Sequence, residues 1–173
     1  MYQLENNKWL PLLYIGGSAD DRALFKEAIS LSGTHFAFYE ADAIESAIAY
    51  FQIDNEGKQG PRPALVLLDY HPGIQPGIHF LYWLRLVKKI VSIPVIVFSG
   101  TEENLKIAEC YSTGANYFIT KPSDLPRLQI IVRTLHQSIA DFPRPGLVRL
   151  LLEYRRDPRE AQGVISFGSV FRC

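Results

Sequence analysis

The chain of 173 residues is long enough for one domain with a proper core, and 47% of its residues are hydrophobic. Eighteen basic residues balance eighteen acidic ones, which gives no support to nucleic-acid binding through a broad basic face. No apolar run reaches the length of a membrane span.

The N-terminal stretch MYQLENNKWLPLLYIGG has a short apolar run but neither a basic n-region nor a small-residue cleavage site, so it reads as a first strand. LPLLYI (10–15), bounded by Gly16 and Gly17, is that strand. DDRALFKEAISL (20–31) carries apolar residues near helical period, and Asp20 and Asp21 suit its first turn. HFAFY (35–39) predicts a second strand and AIESAIAYF (43–51) a second helix. DNEGKQGPRP (54–63) is polar and rich in Gly and Pro, hence a loop. ALVLLD (64–69) is a continuous apolar run ending in an acid. PGIHFLYWLRLVKKI (76–90) predicts a helix and IPVIVFS (93–99) another buried strand. TEENLKIAECYSTG (101–114) has a helix-starting Thr101 and a helix-ending Gly114. NYFIT (116–120) is a short strand. SDLPRLQIIVRTLHQSI (123–139) is a last helix, with Ser123 as its expected cap and Pro126 tolerated in the first turn. Cys110 and Cys173 lie far apart and match no metal or redox spacing, which suggests a reducing cytoplasm.

Five β/α units in series, with continuous apolar strands, imply a parallel sheet covered on both faces. Right-handed crossovers make this a doubly wound, flavodoxin-like three-layer sandwich. The working site of such a fold lies beyond the carboxyl ends of its strands. The residues to inspect are therefore Gly16 and Gly17, Asp69, Ser99 and Lys121. A carboxylate can act as the nucleophile in phosphoryl transfer. An ammonium and a hydroxyl can hold phosphoryl oxygens.

LVLLD, IPVIVFSG and GANYFITKP, in this order, resemble the motifs of the response-regulator receiver domains, the chemotaxis-regulator-like family. The resemblance covers residues 10 to 140 and implies strand order 2-1-3-4-5, a phospho-acceptor at Asp69, phosphate contacts at Ser99 and Lys121, and a switch aromatic at Phe118. It also implies a signalling module rather than an enzyme, fed by a histidine kinase or phosphotransfer protein. Output would go to a protein partner on helix 4, strand 5 and helix 5, where Tyr111, Tyr117 and Phe118 lie. A homodimer is open; nucleic acid and membrane are not expected partners.

The family pattern breaks in two places. Receivers carry an acidic pair after strand 1 that holds Mg²⁺ together with the acceptor, and the alignment puts Gly16 and Gly17 there. Asp69 is then the one remaining metal carboxylate, and Mg²⁺ is expected to bind weakly or not at all. Asp20 and Asp21 come several residues late, on the helix start. After the acceptor, DYHPGIQPGIHF is a rebuilt loop, with His71 where the family offers a carbonyl to the metal. Two alternatives follow: a pseudo-receiver that signals through binding alone, or a small flavodoxin-like nucleotide binder using Gly16, Gly17 and Ser18 as a phosphate cradle.

Beyond residue 140 the character changes. The 141–173 extension has no lysine but carries Arg144, Arg149, Arg155, Arg156, Arg159 and Arg172. A short amphipathic helix and an apolar segment are expected there, too short for an effector domain.

Overall fold

Alternating apolar runs and amphipathic patterns become alternating strands and helices. The computed structural model describes residues 9–52, 60–70, 76–87, 93–100 and 104–141. The elements are β1 (Leu10–Ile15), α1 (Ala19–Ser32), β2 (Phe36–Ala41), α2 (Ile44–Gln52), β3 (Leu65–Asp69), α3 (Pro76–Leu86), β4 (Val95–Ser99), α4 (Asn104–Thr113), β5 (Tyr117–Thr120) and α5 (Leu125–Asp141). All four strand pairings are parallel, and the order is β2-β1-β3-β4-β5. This is the expected doubly wound sheet, with β3 at its centre between β1 and β4.

Strand side chains alternate between two hydrophobic layers. Leu12, Tyr14, Leu65, Leu67, Ile96, Phe98 and Ile119 face α1 and α5. Leu13, Ile15, Val66, Leu68, Val95, Val97 and Phe118 face α2, α3 and α4. Because both faces are covered, the strands read as unbroken apolar runs rather than alternating ones. Each fully buried Leu or Ile contributes about 1.5–3 kcal/mol by leaving water.

Helix ends follow local chemistry. Ser18 caps α1 in a reciprocal box with Asp21, and Gly33 ends that helix. Gly114 closes α4 as expected, its N–H donating to Cys110 O at 3.1 Å. The cap of α5 differs from expectation. Asp124, not Ser123, accepts the Arg127 N–H at 2.9 Å. Both residue types cap helices, but the helix starts at Leu125, so the carboxylate next to it has the reach. The expected helix over 76–90 ends at Leu86. His71 and the rebuilt loop around it, Thr101, and the extension beyond Asp141 lie outside the described residues.

Candidate functional site

Parallel pairing brings four strand ends to one edge. In register, Asp69 stands beside Phe98 and Ser99 beside Thr120. The main chain just past the strands continues the ladder: Gly16 N–H donates to Ala41 O at 2.8 Å, Tyr70 N–H to Phe98 O at 3.0 Å, and Lys121 N–H to Ser99 O at 2.8 Å. Asp69, Ser99 and Lys121 thus share an edge with the Gly16–Gly17 turn.

The Asp69 carboxylate is nearly sealed, with 4% of its side chain exposed. Its Oδ2 receives two donors. Lys121 Nζ lies 2.6 Å away, and the Tyr14 hydroxyl donates from 2.8 Å. The same ammonium lies 3.2 Å from Asp21 Oδ2, so Lys121 bridges Asp69 and the first turn of α1. It also sits 5.8 Å from the centre of the Phe98 ring, a cation–π contact. Burial, then the Asp69 charge, pushes the Tyr14 hydroxyl far above its ordinary range, so it stays protonated and donates. Burial works against ionising Asp21, but the Ser18 hydroxyl and amide and the Lys121 charge outweigh it. Its carboxyl is held below the usual value.

Gly16 and Gly17 form the opposite wall with φ of 80° and 70°, a left-handed backbone that suits glycine. A Cβ on Gly17 would lie 2.6 Å from Asp69 Oδ2 and 3.1 Å from Tyr14 Cε1. The space of a side chain at 17 is therefore already taken by the Tyr14–Asp69 pair. Arg22 braces the turn from behind. Its Nη1 donates to Gly16 O at 3.1 Å and Gly17 O at 2.6 Å, and its Nε lies 3.6 Å from Glu40.

As arranged here, the oxygens that could face a divalent cation are taken by protein donors. Hard cations need several oxygen ligands, mostly anionic. Here Asp69 Oδ2 already faces an ammonium, and the Gly16 and Gly17 carbonyls face a guanidinium. Asp21 is turned to Ser18 and Lys121. Among the described residues no group of three or more His, Cys, Asp or Glu could hold a metal. The phosphate-cradle alternative meets a similar obstacle. The Ser18 N–H and hydroxyl both donate to Asp21 Oδ2, so the chain's own carboxylate takes them.

The remaining expected residues fall as follows. Ser99 is fully buried at the end of β4. Phe118 is also fully buried, within the layer facing α2, α3 and α4. The Phe118 N–H, on edge strand β5, donates to the Tyr111 hydroxyl at 3.1 Å. Asp20 is exposed in the first turn of α1. Two participants escaped the sequence reading: Tyr14, hidden inside an apolar strand, and Arg22. A tyrosine in the buried half of a strand needs a hydroxyl partner, and the Gly-Gly two residues on leaves room for one.

Comparison with known proteins gives the family and the fold. The family model described as the response regulator receiver domain matches residues 18–133. The chain belongs to that family, the receiver class of two-component signal transduction. It is 29% identical to the two-component response regulator ORR1 of rice (Oryza sativa) over 123 residues, 68% of this chain and 53% of that protein. The chain thus spans about half the length of that relative. It is 26% identical to the response regulator Rcp1 of Synechocystis, over 72% of this chain and 84% of Rcp1. The phosphorylated cyanobacterial phytochrome response regulator RcpA shares its fold, with a TM-score of 0.67, 24% identity, and coverage of 77% of this chain and 95% of RcpA. So does the chemotaxis regulator CheY4 of Vibrio cholerae, at a TM-score of 0.59 and 16% identity over 73% of this chain and 98% of CheY4. No helix among the described residues is long and apolar enough to cross a membrane.

Proposed function

We propose that the protein is a response regulator of a phosphorelay in which Asp69 accepts a phosphoryl group from a histidine kinase or phosphotransfer protein. The observation that carries this reading is the buried Asp69 carboxylate 2.6 Å from the Lys121 ammonium at the carboxyl edge of the sheet. In the transfer, a carboxylate oxygen of Asp69 attacks phosphorus and a new O–P bond forms. The P–N bond to the donor imidazole breaks, and the imidazole leaves with the electron pair and takes a proton from water. Lys121 then has the phosphoryl oxygens to hold, and the Ser99 hydroxyl at the neighbouring strand end is the second contact. The structures of phosphorylated RcpA and of Mn²⁺-bound Rcp1 are the relatives' counterparts. In this chain Lys121 and Tyr14, rather than a cation, offset the Asp69 charge, and Mg²⁺ binds weakly or not at all.

The receiver spans residues 1–140, with 141–173 as an extension. Output runs through a protein partner on the α4–β5–α5 face, with Phe118 as the switch aromatic, in the cytoplasm. The test is incubation with acetyl phosphate followed by peptide mass mapping. A single phosphoryl gain on Asp69, lost in Asp69→Asn, is the expected result; no gain overturns the acceptor role. A second reading, a pseudo-receiver that signals by binding alone, is favoured by one observation: Oδ2 of Asp69 already carries two donors.

A further inference from the structure

We propose that the Tyr14 hydroxyl is a latch on Asp69: it holds the carboxylate against the β1 turn and must release it before the carboxylate can react. The inference rests on Asp69 as acceptor for its biological meaning, but the latch itself can be read by chemistry that involves no phosphoryl transfer.

Four observations converge. The Tyr14 ring is fully buried in the layer facing α1 and α5. It makes edge contacts with Phe25, centroids 5.4 Å apart, and with Phe98 at 6.5 Å. The core therefore fixes the ring, and the ring aims its hydroxyl at Asp69 from 2.8 Å. Second, the hydroxyl shares Oδ2 with Lys121, so both donors draw the same oxygen inward. Third, only 4% of the Asp69 side chain is exposed, which leaves a donor in solution little path to its lone pairs. Fourth, a Cβ at Gly17 would lie 2.6 Å from that oxygen. A side chain at 17 and the Tyr14–Asp69 bond exclude one another. Gly17 is thus the residue that permits the latch: having no Cβ, it leaves room for the Tyr14 hydroxyl to meet Asp69.

The physical consequence follows from the donor count. A nucleophilic oxygen must turn a lone pair toward the incoming phosphorus. A hydrogen bond to a charged group is among the stronger ones, and releasing one shifts an equilibrium by roughly tenfold. Opening of Tyr14 therefore frees Oδ2 and lets the carboxylate turn out of a setting that leaves 4% of its side chain exposed. The Lys121 ammonium stays with the carboxylate through opening, because it reaches the site from the β5 side.

Tyr14→Phe tests this, since it keeps the ring and removes only the hydroxyl. The full chain is treated at one pH with a water-soluble carbodiimide and a small amine, and amide formation is mapped by mass. Asp69 in Tyr14→Phe is expected to label about five- to tenfold faster than in the wild type, with Asp124 as an unchanged internal reference. Equal or slower labelling at Asp69 overturns the latch. A parallel reaction with phosphoramidate separates the two ideas. Faster phosphoryl gain in Tyr14→Phe supports both. Faster amide formation with no phosphoryl gain in either protein supports the latch and removes the acceptor role. Should Tyr14→Phe fail to fold, the wild type carries the test by proton NMR. A slowly exchanging Tyr14 hydroxyl proton with a cross-peak to the Asp69 β protons supports the latch, and its absence overturns it.

Discussion

The two walls of the site differ in kind. The β3–β4–β5 wall carries the residues expected from the sequence motifs, with Asp69 and Ser99 ending β3 and β4 and Lys121 directly after β5. The β1 wall is rebuilt: glycines stand where acids are expected, a guanidinium grips their carbonyls, and a tyrosine hydroxyl enters from the core. The family match begins at Ser18, just past this turn. A carboxylate in a low-dielectric site must be offset by something. In this structure an ammonium and a hydroxyl do so, both at Oδ2 of Asp69.

The sharpest way to break the comparison is to fill the β1 wall. Gly17→Val would place a branched side chain at a φ of 70° and drive its Cβ into Asp69. A loss of about 3 kcal/mol or more is expected in urea unfolding. On the other wall Gly100 has open space for a Cβ, and Gly100→Ala should change stability by less than about 0.5 kcal/mol. Similar losses at both positions would erase the distinction between the walls.

Next in size is the ion pair that joins them. Lys121→Met leaves the buried Asp69 carboxylate with Tyr14 as its remaining donor at Oδ2. Breaking a fully buried pair costs several kcal/mol, but Lys121 keeps 21% of its side chain exposed, so about 2 kcal/mol is expected from the unfolding midpoint. Asp69→Asn should recover part of that loss in the double variant, because the unpaired charge is gone.

Asp21 gives a smaller effect with a pH signature. Asp21→Asn should cost about 1 kcal/mol at neutral pH through the capping box and the lysine contact. The Asp21 carboxyl is held below its ordinary value of 3.8 in the folded state. Its stabilisation is therefore fully present above that value and is lost as pH falls below it, through the folded pKa. Wild type and Asp21→Asn should converge in stability on acidification; a gap that persists unchanged would remove Asp21 from the network.

How much of this was legible in the sequence depended on range. Continuous apolar runs at 10–15, 64–69 and 93–99 announced buried parallel strands, because a sheet covered on both faces has no polar side. Asp69 and Ser99 end two of these runs and Lys121 follows the short strand at 116–120, so the parallel order alone places all three at one edge. The role of Tyr14 was not. Its partner lies 55 residues away, and in a strand of apolar neighbours it reads as one more core aromatic. Asp21 was legible as a helix-start residue, but its second contact, with Lys121, depends on how α1 and β5 meet in space.

The smallest test belongs to a local choice the sequence left ambiguous. Ser123 and Asp124 are both capping types, and the structure uses Asp124. Asp124→Ala should cost about 1 kcal/mol and Ser123→Ala only a few tenths. Thermal melts of the pair check this, and the reverse ranking would restore Ser123 as the cap.

The central claim is that protein donors, not a divalent cation, hold the Asp69 carboxylate. Titrating Mn²⁺ into the full chain while following the free-ion electron paramagnetic resonance signal tests it directly. The account predicts no saturable uptake below about 1 mM. One equivalent of Mn²⁺ bound more tightly than that, and released by Asp69→Asn, would contradict it.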